Sequence, residues 1–174
     1  MEREKITIEE LLQRYEKGER DFAGMILEHT NKTFHNVNLS GISLEGVEFH
    51  NFGFYSLLKV NFSGANLKGI DLGEQFLEGV NFSEANLENV CFYQSVLRNS
   101  NLSRCNLSGA DFRQASLQGA NLIAANLTEA NMGGIGLDGI KLTNVNLTRA
   151  INFWVDGGAI FDNTIMPDGS IRTD

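Results

Sequence analysis

From Leu57 to Leu147 every fifth residue is Leu, Phe or Met, at 19 positions out of 19. From Phe62 onward, the residue two before each of these centres is small or apolar in 17 of 18 cases, Gln75 being the exception. The residue one before is Asn or Asp in 12 of 18. A period of five fits neither standard element run straight. On a helix, five steps of about 100° leave successive centres about 140° apart, so no apolar stripe forms. On a straight strand, an odd spacing sends successive centres to opposite faces. The chain must therefore turn once per five residues. The centre and the residue two before it point the same way, and the rest form a corner where Gly, Asn and Ser accept tightly turned backbone. Turning repeatedly in one sense gives an all-β solenoid with the Leu/Phe columns inside.

A coil of four such sides has 20 residues, and residues n and n+20 then stack about 4.8 Å apart. The pairs Lys68/Glu88, Glu78/Arg98, Glu84/Arg104 and Glu129/Arg149 are all opposite in sign, and Phe62 falls over Phe82 and Phe92 over Phe112. Asn66, Asn86, Asn106, Asn126 and Asn146 form one column, and Asn61, Asn81, Asn101 and Asn121 another. The early centres Phe22, Leu27, Phe34, Leu39, Leu44 and Phe49 are less regular. Their gaps of 7 and 8 residues, before Phe34 and before Leu57, together restore the phase, which implies a bulge or skipped corner around Asn51-Phe52-Gly53-Phe54-Tyr55.

Blocks such as Ala65-Asn66-Leu67-Lys68-Gly69 and Ala110-Asp111-Phe112-Arg113-Gln114 resemble the A(D/N)LXX unit of pentapeptide-repeat proteins, over roughly residues 21–151. The resemblance implies a right-handed quadrilateral β-helix with the centre and the residue two before it facing inward. Phe62, Leu67, Leu72, Phe82, Phe92, Leu102, Phe112, Leu122, Met132 and Leu142 are then core centres. The stretches Glu10–Tyr15 and Thr164–Ser170 are similar to ends common in cyanobacterial members.

Solenoid ends need covers. Thr7-Ile8-Glu9-Glu10 reads as a capping box, with Ile6 and Leu11 as a hydrophobic staple. Ile8, Leu11, Leu12 and Tyr15 share one helical face, and Gly18 stops the helix. Three regions follow: a short N-terminal α-helical cap over 1–19, the repeat over 20–152, and a C-terminal cap and tail over 153–174. Phe153, Trp154, Ile160 and Phe161 are expected to cover the last coil, or to form a homodimer interface through that end.

Chemistry is sparse. His29, His35 and His50 show no metal-ligand spacing with Cys or carboxylate, and Gly133-Gly134 and Gly157-Gly158 follow no phosphate-loop pattern. Asp71 and Asp111 share a column, but that position is Asn elsewhere, so the fold asks there for a short hydrogen-bonding side chain. Cys105 reads as core and Cys91 as outward, which precludes a bridge and fits a reducing, cytoplasmic setting. No nucleophile, base, cofactor box or metal set emerges, so the chain reads as non-enzymatic. No apolar run is long enough for a membrane span. A net charge of −8 disfavours direct nucleic-acid binding.

What remains is surface. Phe76 and Val96 occupy outward positions normally held by Asn or Asp, with Tyr93 and Cys91 on the adjoining side, and this apolar patch is the candidate contact site for a protein partner. The favoured reading is a protein-interaction scaffold. The alternative is a DNA mimic that protects or inhibits gyrase or topoisomerase, an activity known in the family. Against it, residues 101–150 carry 4 basic and 3 acidic side chains and are nearly neutral where mimicry needs negative charge.

Overall fold

The computed structural model describes residues 3–28, 34–50, 57–137, 139–154 and 158–174. A short strand, β1 (Lys5–Thr7), leads into the helix α1 (Ile8–Glu16). β2 (Ile26–Glu28) and β3 (Glu48–His50) pair in parallel in the order β1-β2-β3. Further on, β4 (Lys141–Thr143) pairs in parallel with β5 (Ile160–Asp162), and β6 (Thr164–Ile165) pairs antiparallel with β7 (Ile171–Arg172).

Between β3 and β4 the chain makes single parallel bridges instead of long strands, one every fifth residue. In the regular stretch each joins n to n+20: Asn61 to Asn81, Asn66 to Asn86, Asp71 to Cys91, Phe76 to Val96, and onward to Asn131 with Ile151. Four outward columns result, numbered here by their members Asn61 (first), Asn66 (second), Asp71 (third) and Phe76 (fourth). Each side is joined to the next layer by three bonds: Leu67 N–H donates to Asn86 O (2.8 Å), Asn86 N–H donates back to Ala65 O (2.9 Å), and Gly69 N–H donates to Glu88 O (2.9 Å).

The corners share one conformation. The residue two after a centre lies at positive φ, whether it is glycine (Gly64, φ 64°) or not (Glu84 63°, Arg104 58°, Ala124 59°). The next N–H then closes a four-residue turn onto the centre, as Ala65 N–H does onto Phe62 O (3.0 Å). A side chain there costs about 1–2 kcal/mol, which explains why glycine recurs at this place.

All ten centres named above are buried, together with the small residues two before them. Phe62 and Phe82 stack with centroids 5.7 Å apart and planes 8° apart, Phe92 and Phe112 stack at 5.2 Å, and Phe82 meets Phe92 edge-on at 5.9 Å. Ser95 and Ser100 take inward small-residue places by donating their hydroxyls to Phe92 O and Leu97 O. Gln75, the outlier of the repeat, keeps one amide contact to Gly73 O, while its Oε1 is buried without a partner.

Early layers use longer registers. Asp21 bridges Ser43 (22 residues), while Ser43 bridges Asn66 and Asn38 bridges Asn61 (23 residues each). The segment Asn51–Tyr55 itself lies outside the described residues, as does His29.

At the N-terminal end Thr7 forms the capping box with Glu10: its hydroxyl accepts from Glu10 N–H and its N–H donates to Glu10 Oε2. Ile6, Ile8 and Leu11 are buried. The helix ends with Gly18 at φ 99°, Gly18 N–H on Tyr15 O and Glu19 N–H on Arg14 O. Arg14 ties this cap to Glu4 (2.8 Å) and Glu19 (2.6 Å), and the Tyr15 hydroxyl donates to Ser40 O in the second layer (2.8 Å). Arg3 adds bonds to Gly24 O, Met25 O, Gly46 O and Glu48 across two layers.

The C-terminal end departs from expectation. Phe161 is buried and Phe153 packs on the core, but Trp154 is 76% exposed and Ile160 51%. Neither covers the last layer. The register there shortens to 19 residues (Leu142 with Phe161, Asn146 with Ile165), so Ile160 takes an outward column place. Cover comes instead from Phe161, from Thr164, whose hydroxyl donates to Leu142 O, and from β7 lying antiparallel on β6.

Candidate functional site

Two outward columns are amide ladders. Asn81 Nδ2 donates to Asn61 Oδ1 (2.9 Å), Asn101 to Asn81 (3.2 Å) and Asn121 to Asn101 (3.2 Å), each Oδ1 also accepting the N–H two residues on. The second column runs the same way from Asn126 through Asn106 and Asn86 to Asn66, which ends on the Glu45 carboxylate (3.0 Å). Corner charges pair across layers: Lys68 with Glu88 (3.1 Å), Arg104 with Glu84 (3.1 Å) and Arg149 with Glu129 (3.2 Å). The fourth pairing expected from spacing, Glu78 with Arg98, does not form. Arg98 Nε donates instead to Ser116 Oγ (3.3 Å), on the fourth column one layer up.

The third column interrupts its polar ladder with Cys91, bridged to Asp71 below and Asp111 above. Burial, with smaller effects from the two carboxylates, pushes the Cys91 thiol up. Cys105, buried in the core with its thiol donating to Phe82 O (2.8 Å), is pushed up by burial to about 12. Both cysteines are free and neither is poised as a nucleophile. Asp111 is held below the usual carboxylate range by Arg113, which grips both its oxygens (2.7–3.0 Å). A carboxylate so neutralised is a poor partner for acid–base work with Asp71.

The fourth column holds Phe76 bridged to Val96, then Ser116 and Gly136. Phe76 and Val96 lie on the fourth column and Cys91 on the third, with Tyr93 at the corner between those columns, and all four are half-buried rather than exposed. Arg113 lies over the Tyr93 ring at 5.4 Å. Among the described residues the exposed large apolar side chains lie elsewhere: Ile123, Ile151, Trp154, Ile160 and Ile171. His35 is exposed at its corner and His50 lies in β3. Among the described residues no cluster of His, Cys, Asp and Glu could hold a metal ion, and no helix is long and apolar enough to cross a membrane. Sequence reasoning missed the turn of Arg98 toward Ser116, because spacing records which charges stack but not which hydrogen bond competes for them.

A column of parallel bridges at a twenty-residue register, a corner every five residues and an inward Leu/Phe core define a repeat class. Residues 74–150 match the model for the pentapeptide repeat region, and this part of the chain is similar to pentapeptide-repeat proteins. Similar solved structures include a pentapeptide repeat protein from the Arabidopsis thaliana thylakoid lumen (29% identity over 56% of this chain and 75% of that one, TM-score 0.43). HetL, a pentapeptide repeat protein involved in heterocyst differentiation regulation from Nostoc sp. strain PCC 7120, is 20% identical (96% and 100% covered, TM-score 0.41). A trypsin-treated form of QnrB1, a plasmid-mediated fluoroquinolone resistance protein, is 28% identical (94% and 68% covered, TM-score 0.41). No curated protein matches the chain at the level that marks a relative.

Proposed function

We propose that the chain winds as one right-handed quadrilateral β-helix under an N-terminal helical cap and acts in the cytoplasm as a non-enzymatic scaffold for a protein partner. The observation that carries the reading is the fourth column, where Phe76 bridges Val96 on a side whose described members include no Asn or Asp, unlike the other three outward columns. Its apolar groups gain free energy when a partner removes them from water. Affinity capture from the host tests it, comparing the natural chain with Phe76→Asn/Val96→Asn, which installs the repeat's own residue. A partner lost with the double variant supports the reading. A partner set unchanged by it, in a protein whose melting curve is intact, refutes the patch.

The exposed Ile151, Trp154, Ile160 and Ile171 favour a second use, a homodimer through the C-terminal end. Light scattering on the natural chain and on Trp154→Ser distinguishes dimer from monomer. The gyrase-directed alternative is disfavoured by pairing of charge in the middle layers, where Glu84, Glu88, Asp111 and Glu129 are each tied to Arg or Lys. A supercoiling assay with purified protein checks it.

A further inference from the structure

The amide ladders repeat every layer, so a partner lying on them meets the same atoms about every 4.8 Å and can slip by one layer, as strands of uniform pattern do. A unique register needs an aperiodic column, and the fourth column is one. Its members shrink upward, from Phe76 through Val96 and Ser116 to Gly136, so its floor falls away toward the C-terminal end. Corner side chains wall this trough. Gln94 and Gln114 form one rail, joined Nε2 to Oε1 at 2.7 Å, and Arg98 and Gln118 lie along the other.

Two features indicate what fits. Gly136 is not at positive φ, and a Cβ there would meet nothing within 4 Å, so neither backbone nor crowding calls for glycine; its effect is to keep the trough open. Arg98 is exposed and has no carboxylate partner among the described residues, unlike Arg104 and Arg149 at similar corners; its one bond leans it over Ser116. Beside Gly136 lies a cavity of about 320 Å³ lined by Met132, Gly134, Ile135, Asn152 and the exposed Trp154.

We infer that this trough docks an extended segment of a partner protein, with a carboxylate set on Arg98 and an apolar side chain in the Trp154 cavity. The inference rests on the scaffold reading above and deepens it. Along the stack Arg98 and Trp154 lie three layers apart, a rise of about 14 Å, which an extended chain running up the trough covers in about four residues. The partner's acidic and apolar residues are therefore about four positions apart. A carboxylate on a guanidinium contributes a charge-assisted, bidentate contact that fixes orientation as well as affinity.

The test is selection of a displayed library of random nine-residue segments on the full chain. Enriched segments are expected to carry Asp or Glu about four positions from an apolar residue. Their Kd should rise roughly tenfold or more with Arg98→Glu, and also with the milder Arg98→Gln. Gly136→Gln, which fills the floor without backbone strain, should weaken them comparably, while Arg104→Glu leaves them unchanged. Replacing the segment's carboxylate by Lys should restore binding to Arg98→Glu. Urea melts confirm that each variant folds. No enrichment, or binders indifferent to both Arg98→Gln and Gly136→Gln, overturns the inference. Binders indifferent to Arg98→Gln and Gly136→Gln that lose affinity with Phe76→Asn/Val96→Asn overturn docking on Arg98 and the Trp154 cavity but leave the scaffold reading standing.

Discussion

Replacing Asn101 by Ala removes three hydrogen bonds from the middle of a ladder. Asn101 Oδ1 accepts Ser103 N–H (3.2 Å) and Asn121 Nδ2 (3.2 Å), and its own Nδ2 donates to Asn81 Oδ1 (3.2 Å). Net contributions of about 0.5–1.5 kcal/mol per bond, reduced because water reaches this half-buried site, give a cost of about 1.5–3 kcal/mol for Asn101→Ala. Asn121→Ala loses only the bonds to Asn101 and from Ile123 N–H, so about 1–2 kcal/mol is expected. The ladder bonds all run in one direction, each amide polarising the next, so neighbours should not be additive. A cycle of Asn81→Ala, Asn101→Ala and the double variant should show a coupling of about 0.5–1.5 kcal/mol. Urea unfolding followed by far-ultraviolet circular dichroism measures it. Trp154 fluorescence is a poor substitute because that side chain sits exposed at one end and reports local fraying. An Asn101→Ala variant within about 0.5 kcal/mol of the natural chain would refute the claim that the ladder stabilises the layers.

Corner glycines offer a second test in both directions. Ala124→Gly relieves a left-handed alanine and should stabilise by about 0.5–1 kcal/mol, whereas Gly69→Ala, with open space around its Cβ, should cost about 1 kcal/mol. Gly109→Ala should cost more than Gly69→Ala, because its Cβ would collide with Asn89 Oδ1, and in an Asn89→Gly chain the added cost of Gly109→Ala should fall to that of Gly69→Ala. Thermal melts of these proteins settle the order. The N-terminal cap supplies a pH test. Arg14 holds the Glu19 carboxyl below its ordinary value, so this contribution is present above the unfolded Glu value and lost as pH falls through the lowered folded one. Hydrogen exchange of residues 8–16 should therefore quicken below about pH 4, and Arg14→Met should abolish that dependence.

Much of the layer geometry was legible because a five-residue period leaves the chain so few ways to bury Leu and Phe. The stacked Phe62/Phe82 and Phe92/Phe112 pairs and three of four cross-layer ion pairs follow from n+20 arithmetic alone. The end cover was less legible. Apolar residues at 153–161 looked like a lid, yet a one-residue shortening of the register turned Ile160 outward, and nothing in the local sequence marks that loss. The candidate site was legible only in outline. Phe76 and Val96 stand out against the Asn or Asp that most outward positions of the repeat carry, but their half-burial depends on neighbouring corners. The meaning of Gly136 requires its φ and its open surroundings, which sequence does not carry.

The twenty-residue storey is most directly tested by oxidation of cysteine pairs placed at corners in a Cys91→Ser/Cys105→Ala chain. Ser83 and Ser103 are the corner residues following Phe82 and Leu102, whose layers are joined by the Phe82 N–H to Asn101 O bond (2.8 Å). Parallel neighbours lie about 4.8 Å apart, within disulfide reach, so Ser83→Cys/Ser103→Cys should close rapidly on the folded protein. Ser83→Cys/Arg98→Cys and Ser83→Cys/Ser108→Cys, one side short and one side long, should stay open. Equal closure of all three pairs, or closure of an off-register pair alone, would contradict the architecture.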